Sequence, residues 1–271
     1  MKFCSVVSLF LFVSSSLTIR AEDDTSTLTL KWMKSRAAAT TISFQTPDPT
    51  SEIELLPNPL FRYSDRPRKI IDGSFWCWEH RGRPVAFQKV EHYEHSDPAQ
   101  QWLYCFASAS EKRLNTEWGN GQSWSAEQPG ISFVKLTDTS PRRVTRQNFP
   151  LLAKAAAQKF SVLLTEEFHN SQEQLRFLPR PIHQYVDESG IIGAVFGFAS
   201  GTNPDALLLI EFDPRKESVQ WRYAWIRMTI CRLSVTLNAE EVWSVPYRPF
   251  SRMGKYESWM FYLEDAQPET K

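Results

Sequence analysis

Leu56-Pro57-Asn58-Pro59-Leu60-Phe61-Arg62-Tyr63-Ser64-Asp65 is answered 122 residues later by Leu178-Pro179-Arg180-Pro181-Ile182-His183-Gln184-Tyr185-Val186-Asp187, with half of the positions identical. Such self-similarity bears on the fold before any motif does, because each copy must solve the same folding problem. The match resumes further on: Ile71, Gly73, Pro84, Ala86 and Glu91 recur as Ile191, Gly193, Pro204, Ala206 and Glu211 at an offset of 120. Gln101, Trp102 and Tyr104 recur as Gln220, Trp221 and Tyr223, and upstream Ala37-Ala38-Ala39 stands opposite Ala155-Ala156-Ala157. What both copies keep is expected to be scaffold. What only one copy has is where a site is to be sought.

Each copy opens on helical sequence. In the second, Asn148 is a cap candidate, Pro150 is tolerated in a first turn, and an alanine run follows. The first offers residues 28–39. Strand patterns come next. Residues 206–210 are apolar at every position, which predicts a strand buried on both faces, while Gln88 and Lys89 predict a less buried partner over 85–90. Glu91 and Glu211, each closing its apolar run, read as the places where those strands meet solvent. Hairpin turns are expected at Pro47-Asp48-Pro49, Gly119-Asn120-Gly121 and Asn238. Connections this short favour antiparallel pairing. The expected fold is α+β, mainly antiparallel and internally duplicated, each copy a helix followed by about five or six strands. Its expected divisions are a signal peptide over 1–21, copies over 22–138 and 149–263, a joint over 139–148 and a mobile tail over 264–271.

Residues 1–21 have the form of a secretory signal: Lys2, an apolar run over 3–13 and Ile19-Arg20-Ala21 before a cut after Ala21. No later stretch is long and uncharged enough for a membrane helix. The chain carries 31 basic and 31 acidic residues. Removing Lys2 and Arg20 leaves a net charge of −2, which gives no footing for nucleic acid or an anionic membrane. Cys77, Cys105 and Cys231 remain beyond the signal. Cys77 stands opposite Gly197 and Cys105 opposite Ala224, so the common fold requires neither, and all three read as small buried residues rather than a bridge.

The wording of residues 190–211 and 220–227 resembles a family of exported bacterial proteins with no assigned activity. The likeness covers most of the chain beyond the signal and carries no functional residue with it.

Three groups are candidates for chemistry. Glu91-His92-Tyr93-Glu94-His95 is dense in ligand types, yet strand alternation sends His92 and His95 to opposite faces and no metal motif fits, so no metal or cofactor is expected. Asp65 and Asp187 recur at matched positions; brought together they would make an acid–base pair, and kept apart each caps its own loop. The stripe Trp102, Tyr104, Phe106, repeated as Trp221, Tyr223, Trp225, is expected to be core rather than a ligand platform. No Gly-x-Ser-x-Gly, phosphate loop or His-Glu-x-x-His occurs. The expected function is an exported soluble protein that binds or scaffolds without catalysis. The competing reading is a hydrolase with a site between the copies, built on Asp65 and Asp187 or on the histidine hairpin.

Overall fold

The computed structural model describes residues 15–46, 52–94, 101–119, 121–137, 143–167, 169–216, 221–249, 251 and 253–265. In chain order the first half gives α1 (Ser15–Ala38), β1 (Thr41–Phe44), β2 (Glu54–Leu55), β3 (Phe61–Asp65), β4 (Ile70–His80), β5 (Arg83–Tyr93), β6 (Gln101–Ser108), β7 (Leu114–Trp118), β8 (Gln122–Ser125) and β9 (Val134–Lys135). There follow α2 (Phe149–Ala157), β10 (Phe160–Glu166), β11 (Ser171–Gln174), β12 (Arg176–Phe177), β13 (His183–Val186), β14 (Ile192–Ala199), β15 (Pro204–Phe212), β16 (Trp221–Arg227), β17 (Arg232–Leu237), β18 (Glu240–Val245), β19 (Met253–Lys255) and β20 (Trp259–Asp265). The fold is β-rich. Every described strand pairing is antiparallel, as the short connections predict.

Two large sheets form the centre. One runs β19-β20-β6-β5-β4-β2 with β3 also on β4; the other runs β12-β14-β15-β16-β9 with β13 also on β14. Strand alternation gives each sheet two apolar faces. The inner faces meet in one core: Phe75, Cys77, Phe87, Cys105 and Ala107 from the first sheet, Val195, Leu207, Leu209, Ala224 and Ile226 from the second. The outer face of the first sheet, with Trp76, Val90, Trp102, Tyr104 and Phe106, is covered by Met33 and Ala37 of α1 and by Trp118 and Trp124 of the small sheet β1-β7-β8. That of the second, with Phe196, Phe198, Leu208, Ile210, Trp221, Tyr223 and Trp225, lies under α2 and under β10 and β17 of the sheet β11-β10-β17-β18. Both aromatic stripes are therefore core, as expected.

Local expectations fare variously. β15 is buried at all nine positions and central. Gly119 and Gly121 take left-handed φ of 55° and 75° in the β7–β8 turn, and Asn238 takes 51° in the β17–β18 turn. The turn expected at Pro47-Asp48-Pro49 lies outside the described residues, as does Asn120. β5 is not the less buried strand that Gln88 and Lys89 imply, because both are buried by the layers on either side. Asn148 does not cap α2 with its side chain: its own backbone is already helical, and its Oδ1 accepts the Thr145 N–H instead. α1 begins well before residue 28. Glu264 and Asp265, expected in a mobile tail, belong to β20, where they pair with Trp102 and Gln101. β20 thus completes the sheet of the first half, while β9, which precedes the expected joint, pairs with β16 of the second. The three cysteines are free. Among the described residues no helix is long and apolar enough to cross a membrane.

Candidate functional site

Period two puts Phe87, Lys89 and Glu91 on the inner face of β5, so a cation and an anion enter the seam between the sheets. Contrary to the expectation of solvent contact, Glu91 is 1% exposed and Glu211 is 0% exposed. Each is reached through a glycine. Gly73 on β4 stands between Tyr63 of β3 and Glu91 of β5, and the Tyr63 hydroxyl donates to Glu91 Oε1 at 2.5 Å. Gly193 on β14 stands between Tyr185 and Glu211, and the Tyr185 hydroxyl donates to Glu211 Oε1 at 2.5 Å. A Cβ at Gly73 would come within 2.7 Å of the Tyr63 ring, and one at Gly193 within 2.1 Å of the Tyr185 ring. The glycines are there to let a phenol cross the sheet. Burial, and then the adjacent carboxylate, push both phenols well above the ordinary tyrosine range.

The remaining partners of the two glutamates differ in kind. Arg83 donates to Glu211 from Nε at 2.8 Å and Nη2 at 2.9 Å, and Arg222 donates from Nε at 2.7 Å. Among the described residues, Glu91 accepts only neutral donors besides Tyr63: the Tyr93 hydroxyl at 3.0 Å and Asn203 Nδ2 at 3.0 Å. Lys89, its neighbour on the same face, spends Nζ on the carbonyls of Pro204 at 2.7 Å and Met228 at 3.1 Å. Among the described residues no lysine or arginine forms an ion pair with Glu91. Asn203 Oδ1 is buried and has no hydrogen-bond partner.

Glu91 and Asn203 open on a cavity of about 620 Å³ between the two sheets, which Leu103, Cys105, Met228, Trp259 and Phe261 also line. Its wall holds Arg68 in a two-point pair with Asp205, at 3.0 and 3.2 Å. With Glu166 and Glu173 at the rim, the wall carries two basic side chains against four acidic ones. The two thiols there are poor nucleophiles. Burial pushes Cys105 up to about 12 while its sulfur accepts the Trp259 indole N–H, and burial raises Cys231 as well.

Asp65 and Asp187 face different hairpin tips. Asp65 lies against Gly201 in the β14–β15 turn, with Arg68 at 3.9 Å. Asp187 Oδ1 accepts from Ser189 N, Ser189 Oγ and Ile191 N, the loop-capping role, beside Gly82 of the β4–β5 turn. His92 is buried and stacks on Trp102 at 4.6 Å in the outer layer, away from the cavity. His95 lies outside the described residues. The sequence did carry the signal for the two phenol–carboxylate pairs, since Tyr63, Gly73 and Glu91 all recur. What it concealed is that the three meet across adjacent strands. It gave no hint that His183 would reach Glu79, at 2.6 Å across 104 residues.

Comparison with family models, with curated proteins and with solved structures finds no match for this chain.

Proposed function

We propose that the chain is an internal duplication in which Glu91, buried with no cation paired to it among the described residues, makes it a non-catalytic binding protein for a small guanidinium- or ammonium-bearing molecule. The duplication draws support from the strand pairings. β1 pairs β7 and β7 pairs β8, as β10 pairs β17 and β17 pairs β18; β4 takes β2, β3 and β5, as β14 takes β12, β13 and β15. In this alignment Arg83 and Arg222, the two cationic partners of Glu211, correspond to Asn203 and Leu103. Neither of those can donate a charge to Glu91, and both line the cavity.

The observation that carries the reading is the buried pair of acceptors, Glu91 and the partnerless Asn203 Oδ1, where the other half holds guanidinium groups. A cation with several N–H donors meets that demand in geometry and in charge. The raised thiols favour binding over nucleophilic catalysis. Agmatine, titrated calorimetrically into the full chain, is expected to bind, with succinate inert. Glu91→Gln should weaken binding about tenfold or more. Asn203→Arg, which supplies the missing guanidinium in place, should abolish it. Equal binding by Glu91→Gln, or no binding of agmatine or putrescine, would overturn the proposal.

Export through residues 1–21 belongs to the same reading and rests on the sequence pattern. Cleavage after Ala21 would leave Met33 and Ala37, the residues of α1 that cover the first sheet. Amino-terminal sequencing of the released chain should start at Glu22; a chain that keeps residues 1–21 would refute it.

A further inference from the structure

Cys77 and Glu79 point from the inner face of β4 toward His183 of β13 in the other sheet. The Cys77 sulfur, a Glu79 carboxylate oxygen and a His183 ring nitrogen all lie within 4.8 Å of one another. We propose that these three side chains form a site for a borderline-soft divalent cation of the zinc type. Thiolate, imidazole and carboxylate are the donors such an ion takes. Metal–ligand lengths of about 2.0–2.3 Å in a tetrahedron put donor atoms about 3.5 Å apart, so movements of roughly 1 Å would close the set.

Packing alone does not account for the trio. β3 lies on β4 with Phe61 opposite Phe75, and β13 lies on β14 with His183 opposite Val195. The position answering His183 is thus Phe61, which stacks on Phe75 at 5.1 Å, and those answering Cys77 and Glu79 are Gly197 and Ala199. One end of the seam is closed by apolar contact; the other carries three ligand types. Beside it is a hollow of about 400 Å³ lined by Glu52, Glu54, Glu79, Arg81 and Glu188, four carboxylates against one guanidinium, and Glu79 belongs to both hollow and trio. That charge would draw a cation toward the hollow, and Glu79 joins the hollow to the trio.

The full chain, stripped with chelator and titrated with Co²⁺, should develop a near-ultraviolet thiolate-to-cobalt band that saturates at one equivalent and is discharged by Zn²⁺. The band should be absent in Cys77→Ala and in His183→Phe, which borrows the residue found at Phe61, and retained in Cys105→Ala. Should the substitutions disturb folding, X-ray absorption on the zinc-loaded native chain decides the matter: one sulfur at about 2.3 Å among nitrogen and oxygen neighbours is expected. No cobalt band, a band that persists in Cys77→Ala or His183→Phe, or a zinc shell without sulfur would overturn the proposal.

Discussion

Glu91 and Glu211 each stand opposite a glycine crossed by a tyrosine, and among the described residues only Glu211 of the two is ion-paired. The same residue type, in the same strand setting, therefore meets guanidinium groups in one half and neutral donors in the other. The difference is electrostatic. Arg83 crosses from the first sheet to the second to reach Glu211, whereas Asn203, which crosses the other way to reach Glu91, brings no charge.

Neutralising each carboxylate should separate the two roles. Glu211→Gln takes the close counter-charge from two guanidinium groups, leaving Arg83 with Glu111 at 3.9 Å. Because both arginine side chains are 23% exposed, the loss should be about 2 kcal/mol, below the range for fully buried pairs. Glu91→Gln strands no cation and should cost less than about 1 kcal/mol. Urea unfolding of the two variants measures both, and a larger loss at Glu91 would make it the scaffold.

Buried Tyr63 and Tyr185, with half-buried Tyr93, predict the alkaline limit of stability. Tyr63, Tyr93 and Tyr185 are held well above the ordinary value of 10.0, first by burial and then by Glu91 or Glu211. In the unfolded chain they ionise near their ordinary value. Their neutral-form stabilisation is therefore complete below that pH and is lost as pH rises above it. Ultraviolet titration should show these three phenols appearing only as the chain unfolds, and Tyr185→Phe should remove one of them from that late step. Smooth ionisation of every tyrosine in the folded state would contradict the burial.

Gly73 and Gly193 allow a third measurement. An alanine methyl at either position drives into a ring tethered through its hydroxyl to a glutamate, so the ring cannot simply swing away. Gly73→Ala and Gly193→Ala should each cost about 1–3 kcal/mol, as overpacking does. The larger loss is expected at Gly193, where the approach of 2.1 Å is closer than the 2.7 Å at Gly73. Equal tolerance of both would show that the phenols are not fixed.

Much of this architecture can be read from the sequence, and the exceptions share a cause. Period and turn chemistry are local, so the buried stripe of Trp102, Tyr104 and Phe106, the double-faced burial of β15 and the turn at Gly119 and Gly121 are legible. Glu91 and Glu211 mislead because a glutamate closing an apolar strand looks like an exit to water, and the partner that buries Glu211 on a cation, Arg83, lies 128 residues away in the chain. His183 with Glu79 fails for the same reason. β9 and β20 complete sheets of the opposite halves, and nothing in their own composition marks the destination.

The core of the seam is the last test. Phe75 and Phe87 are both fully buried and stack at 5.5 Å, while the residues at the matching positions, Val195 and Leu207, are equally buried but aliphatic. At these two positions the inner faces thus meet as rings on one side and branched chains on the other. Phe87→Ala and Phe75→Ala should each cost about 3–5 kcal/mol, the transfer loss plus a cavity. Because the rings touch, the double variant should fall short of additivity by about 0.5–1.5 kcal/mol. Equilibrium denaturation of the four chains in the cycle measures it. Strict additivity would mean that the two rings do not share one packed site.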